Sequence, residues 1–232
     1  MIDRLNDDIG ELGPNIFEPE VNVKIPMITE SGKNVLYFEG EVGYDGKALR
    51  EKFYFHLVKG QKVAVIGSNG LGKSTLVKTI IKEIALISGK MEFGSNVKIG
   101  YYAQDQAKNL HEDQSVLENM KTANPSVLDQ DIFKLLGSFL FKKDSIGKKV
   151  SVLSGGEKSR LSLACLLLQD INFLILDEPT NHLDIITCQI LAKALNEYKG
   201  TALFVSHNRA FINTAATHLL HFKEDIVSME EK

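Results

Sequence analysis

An apolar run from Lys62 to Ile66 is followed at once by Gly67, Ser68, Asn69, Gly70, Leu71, Gly72, Lys73 and Ser74. These eight positions spell G-x-x-x-x-G-K-[ST], and apolar residues then recur at helical spacing at Leu76, Ile80, Ile81 and Ile84. Strand, glycine-rich loop and helix in direct succession leave few folds open, because such a loop is the strand-to-helix turn of an α/β sheet. The glycines let the backbone curl so that successive N–H groups converge on phosphate oxygens, and the helix N-terminus adds partial positive charge at the same spot. In that chemistry Lys73 reaches β- and γ-phosphates, Ser74 ligates Mg²⁺ through its hydroxyl, and Thr75 contacts phosphate nearby. The competing reading is a tight turn with a fortuitous lysine, and eight matched positions in this context weigh against it.

A second apolar strand, Phe173 to Leu176, ends in Asp177 and Glu178. Ligands of open parallel sheets sit beyond such carboxyl ends, and adjacent strand residues point apart, so the two acids can take different tasks. Asp177 suits Mg²⁺, and Glu178 suits proton abstraction from an attacking water. Without the phosphate loop, both would read as ordinary turn or cap residues.

The remaining pattern fits an α/β fold with a mixed or parallel sheet flanked by helices. Val35 to Phe55 alternates apolar and polar residues around Gly43 to Gly46, an antiparallel β lead-in. Lys90 to Phe93 and Val97 to Tyr102 are further short strands. Val116, Leu117 and Met120, then Ile132, Leu135, Leu136, Phe139 and Leu140, recur at helical spacing and predict a small helical subdomain over about 113–170. A helix from about Gly155 to Gln169, a helix near 185–198 and a strand Thr201 to Val205 complete the alternation, so the main domain is expected over 35–226. Residues 1–34 are polar and interrupted by Pro14, Pro19 and Pro26, which reads as a linker-like tail.

With 44% hydrophobic and 25% charged residues the chain has ordinary globular composition, and no apolar run approaches the ~20 residues of a bilayer helix. Membrane insertion is not expected, and any pore would belong to another chain. MIDRLNDDIG lacks a basic region followed by an apolar one, so a cytoplasmic location is expected. Cys165 and Cys188 have no metal-site or redox spacing. A net charge of −3 argues against a surface that grips nucleic acid everywhere, and Lys142, Lys143, Lys148 and Lys149 read as a solvated face.

Leu153, Ser154, Gly155, Gly156 and Glu157 add a third motif. Phosphate loop, LSGGE and ILDEP in this order resemble the ATP-binding cassette ATPases over about residues 35–222, with further elements in the family's places. Tyr44 resembles the aromatic that stacks on adenine. Gln104 resembles the glutamine that contacts metal and water, Asn181 to Asp184 the D-loop, and His207 the switch histidine that contacts the γ-phosphate and orients water and Glu178. LSGGE is also a capping box, Ser154 and Glu157 standing in S-x-x-E relation before an apolar helix. In the family that helix start, with Ser154, Gly155 and Gly156, grips the γ-phosphate of a nucleotide held by the opposite cassette. The resemblance therefore implies ATP and Mg²⁺ as ligands, ATP hydrolysis as the reaction, and a second cassette, in a homodimer or a tandem pair, as partner.

Residues 177–184 spell Asp-Glu-Pro-Thr-Asn-His-Leu-Asp, and together with LSGGEKSR they resemble the ABC-F group, tandem-cassette proteins that act on ribosomes. The ribosome, with tRNA, is the further partner this implies. Asn208 departs from the aspartate usual after the switch histidine. A single phosphate loop and a single LSGGE also depart from the tandem pattern, and make the chain look like a second, C-terminal cassette. The alternative reading is the ATPase subunit of a membrane transporter.

Overall fold

The computed structural model describes residues 29–49, 51–103, 109–181, 183–223 and 226–232. In chain order the strands are β1 (Asn34–Glu41), β2 (Gly43–Tyr44), β3 (Lys47–Ala48), β4 (Phe53–Val58), β5 (Lys62–Gly67), β6 (Ser88–Phe93), β7 (Ile99–Tyr102), β8 (Phe173–Asp177), β9 (Thr201–Val205), β10 (His218–Phe222) and β11 (Val227–Glu231). The helices are α1 (Lys73–Ile80), α2 (Val116–Ala123), α3 (Asp129–Ser138), α4 (Lys143–Ile146), α5 (Gly155–Leu168), α6 (Ile185–Glu197) and α7 (Arg209–Ala215).

The main sheet has the order β11-β10-β5-β9-β8-β7, parallel except for the antiparallel edge strand β11. The interiors of its central strands are apolar because both faces are covered. On β5, Val63 and Val65 face a core shared with α1 and the small antiparallel sheet β4-β1-β6, which supplies Phe38, Phe53 and Phe55. Ala64, between them, faces a second core with α5, α6 and the segment 116–141. In register, Val65 lies beside Val205 and Val205 beside Asp177, so the chain leaves β5, β9 and β8 at one common edge. The fold thereby brings the phosphate loop, His207 and the Asp177–Glu178 pair together.

The helical segment buries Val116, Met120, Ile132, Leu135, Leu136 and Phe139, the face that the 3.6-residue spacing predicts. Leu117 is only partly buried, and Leu140, two residues past the end of α3 at a φ of 64°, is exposed. Of the expected linker-like tail 1–34, residues 1–28 lie outside the described residues. Residues 29–33 are anchored to the sheet: the Thr29 N–H and hydroxyl donate to Asp170 (2.9 and 2.8 Å), and the amide of Asn172 donates to the Thr29 carbonyl at 3.1 Å. The same Asn172 accepts from the Lys98 N–H at 2.9 Å and donates to Asn96 O at 2.8 Å. At the other end the sheet runs past residue 226, where β11 pairs with β10.

Candidate functional site

Gly67 closes β5 at a φ of 153°, and a Cβ there would lie 2.2 Å from the Phe222 carbonyl oxygen on β10, so only glycine lets the loop leave the sheet at this point. Gly72 caps α1 in the left-handed region at a φ of 90°, with no side chain satisfying the first N–H groups of the helix. Those donors are available to an anion. Lys73 is buried, and its ammonium donates to the carbonyls of Gly67 and Ser68 at 2.8 Å each. Burial lowers its pKa, while Glu178 and Asp177 favour the charged form. The loop's own oxygens thus aim the ammonium into the curl of backbone.

Ser74 donates its hydroxyl to Asp177 Oδ1 at 3.3 Å, joining the start of α1 to the end of β8. Hydroxyl and carboxylate oxygens side by side form a donor set that would suit Mg²⁺, a hard cation that takes oxygen ligands. Burial raises the Asp177 pKa, and the Ser74 hydrogen bond opposes this. Glu178 follows at a φ of 49°, an arrangement that costs a non-glycine residue roughly 1–3 kcal/mol. Its N–H is held by the Val205 carbonyl at 3.0 Å. The strained turn directs the carboxylate to His207, whose Nε2 is 3.3 Å from Oε1. Burial raises the Glu178 pKa above the ordinary carboxylate value, while His207 holds it down and Asp177 adds to the rise.

Lys73, Ser74, Glu178 and His207 line one cleft of about 700 Å³, with Asn69, Gly70, Gly72 and Thr75 in its walls. Leu49, Thr180, Asn181, Val205 and Asn208 also line it. Thr180 and Ser206 brace the wall through a hydroxyl pair at 3.1 Å, and Asn208 caps α7 by accepting from the Phe211 N–H at 3.1 Å. Aspartate would cap that helix equally well, so the departure at 208 is structurally neutral. Leu49 reaches the cleft from the loop after β3 and carries no motif that could have flagged it.

Tyr44 stands beside the loop: its phenol oxygen accepts from the Thr75 hydroxyl at 3.3 Å, and its ring is about half exposed. Gln104 and His182 lie outside the described residues. Ser154, Gly155 and Gly156 are not among the residues that line the cleft. Ser154 caps α5, accepting from the Glu157 N–H at 3.3 Å, while its own N–H and hydroxyl donate to the Glu157 carboxylate at 2.9 and 2.7 Å. Both glycines face open space, with nothing within 4 Å of a Cβ built on either. Cys165 is partly buried against the core, and desolvation pushes its thiol up to about 12, which leaves it unreactive.

Residues 51–181 match the ABC transporter family. Over 205 residues the chain is 44% identical to the ATP-binding protein YdiF of Bacillus subtilis, covering 88% of this chain and 32% of that protein. Over 207 residues it is 39% identical to ABC transporter F family member 2 of Arabidopsis thaliana, covering 88% and 30%. The chain thus spans about a third of the length of these relatives. Among solved structures it resembles the ATP-binding subunit of an ABC transporter, with a TM-score of 0.71 at 21% identity over 85% of this chain and 90% of that one, a likeness of fold.

Proposed function

Because the chain belongs to the ATP-binding cassette family, as a cassette of the ABC-F type, we propose that it binds ATP with Mg²⁺ in the cleft and hydrolyses it when a second cassette closes over the nucleotide. The observation that carries this reading is the separation of two complementary halves on one chain. Lys73, Ser74, Glu178 and His207 line the cleft and Asp177 is joined to it through Ser74, while Ser154, Gly155 and Gly156 are not among its lining residues and a Cβ on either glycine would meet open space.

The loop N–H groups and Lys73 hold the β- and γ-phosphates, and Tyr44 supports the base. When bound at Ser74 and Asp177, Mg²⁺ neutralises phosphate charge, with Gln104 assigned to the same ion by resemblance. Glu178 takes a proton from the water whose oxygen attacks the γ-phosphorus as the bond to the bridging oxygen breaks, leaving ADP and phosphate. Its raised pKa brings it nearer the operating pH of a general base, which supports that role. His207 keeps the carboxylate turned toward the γ-phosphate. The N–H groups at the tip of α5, carried on the helical subdomain, supply the remaining donors from the partner cassette.

Glu178→Gln is the test. The variant should bind ATP, lose hydrolysis by at least ~100-fold, and run on a sizing column at twice the mass of the 25.8 kDa chain. A variant that binds ATP but remains monomeric, or a parent whose specific activity is unchanged on dilution, would refute the shared site. The ribosome is proposed as the assembly on which this cycle acts, and ATP-dependent co-sedimentation of the Glu178→Gln variant with ribosomes checks it.

A further inference from the structure

The parallel ladder of β8 and β9 has Asp177 and Val205 as its last registered pair, and both strands end there. Glu178 and His207 lie beyond that point, so the ladder no longer fixes the distance between them. The His207 side chain is 55% exposed, which leaves its ring to be placed by the backbone that carries it. Glu178 sits at a φ of 49°, and a strained residue keeps such a conformation only where its surroundings over-determine it. Both turns therefore need a support that the sheet does not supply.

The two turns are pinned to each other. The Asn181 N–H donates to the Glu178 carbonyl at 3.1 Å, closing a four-residue turn with Pro179 and Thr180 at its centre. Thr180 Oγ1 lies 3.1 Å from Ser206 Oγ, and Ser206, only 2% exposed, immediately precedes His207. Ser206 Oγ also accepts from the Asn208 N–H at 3.1 Å, so one buried hydroxyl grips the backbone on either side of the histidine. The Glu178 N–H to Val205 carbonyl bond, at 3.0 Å, is a second rung between the same turns. On the far side Asn208 caps α7, whose Phe211 packs edge-on against Phe204 of β9 with ring centroids 5.3 Å apart.

We infer that Thr180 and Ser206 are positioning residues: their hydroxyl pair carries the register of β8 and β9 past the end of the ladder and sets the 3.3 Å separation of His207 Nε2 from Glu178 Oε1. This rests on the roles proposed above for Glu178 and His207. Two apolar side chains would fill the same space, but apolar contact is non-directional, whereas a hydrogen bond fixes direction as well as distance. Direction matters here, because a shift of about 1 Å in a reacting group can cost ~100-fold in rate.

The test compares the parent with Thr180→Val, Thr180→Ser and Ser206→Ala in the full chain, and repeats Thr180→Val in a His207→Ala background. Valine keeps the shape of the side chain and leaves the Ser206 bond to Asn208 in place, so this variant carries the test if Ser206→Ala fails to fold. Phosphate release is measured against ATP concentration. Thr180→Val should lower kcat by about tenfold with KM within about twofold of the parent, and Ser206→Ala should lose at least as much. Thr180→Ser, which keeps the hydroxyl, should recover most of the loss. In the His207→Ala background Thr180→Val should cost less than about twofold, since the contact it positions is already gone. Losses that multiply in that background, or a Thr180→Val chain whose kcat stays within about twofold of the parent even with a lowered melting temperature, would overturn the inference alone. Hydrolysis retained by Glu178→Gln would overturn the reading of the site, and the inference with it.

Discussion

Replacing Lys62 by Met should stabilise the protein at neutral pH by about 2 kcal/mol. Lys62 opens β5, the strand that ends in the phosphate loop. Its side chain is buried, with Nζ 2.8 Å from the Gly60 carbonyl and 5.8 Å from the centroid of the Tyr198 ring. Burial, and after it the charge of Lys199, pushes its pKa down from 10.5 to about 8. At neutral pH the ammonium is charged in both the folded and the unfolded chain, and the folded chain alone bears its desolvation. The gap between 10.5 and about 8, at ~1.4 kcal/mol per pH unit, makes that cost roughly 3 kcal/mol. Loss of the Gly60 hydrogen bond returns about 1 kcal/mol. For a chain of this size the remainder raises Tm by roughly 4–8 °C. The sign reverses with pH: above about 8 the folded chain releases the proton while the unfolded chain keeps it, so the parent gains stability toward pH 10.5 and the variant does not. The chain has no tryptophan, so urea unfolding is followed by far-UV circular dichroism. Taking the difference between the two proteins cancels every other titrating group. A gap that stays constant from neutral pH to about pH 10, or a variant less stable at neutral pH, would refute the reasoning.

His207→Ala removes the group that holds the Glu178 pKa down, so that pKa should rise further above the ordinary carboxylate range. Base function is present when Glu178 is ionised and is lost as pH falls through its folded pKa, so the acid limb of kcat should move to higher pH. A slower enzyme with an unmoved acid limb would count against the 3.3 Å contact having this role. Gly67→Ala should cost about 2–4 kcal/mol, combining left-handed backbone strain with the clash against the Phe222 carbonyl, and urea midpoints measure it.

Much of this was legible because it is local. The phosphate loop, the ILDE strand and the LSGGE capping box each declare themselves within ten residues, and the last forms both reciprocal hydrogen bonds that its spelling implies. The C-terminal part of the sheet was not legible. In β10 only Leu220 and Phe222 are buried, and its parallel partner β5 is more than 150 residues away, so no window of sequence reveals the pairing. Arg160 reads as an ordinary charged position and Asp184 as the last residue of the D-loop-like run, and their 3.0 Å contact closes only in the folded chain. Residues 29–33 read as tail because hydrophobic periodicity is blind to anchoring by side-chain hydrogen bonds such as those of Asp170 and Asn172.

That anchoring has a mechanical consequence. Asp170 and Asn172 sit at the root of β8, the strand whose far end bears Asp177. The hydrogen bonds of Thr29 to Asp170 and Asn172 therefore fasten the segment before β1 to the foot of the strand that carries Asp177. A displacement of residues 29–33 would thus be passed to β8 at its base, opposite the end where Asp177 meets Ser74.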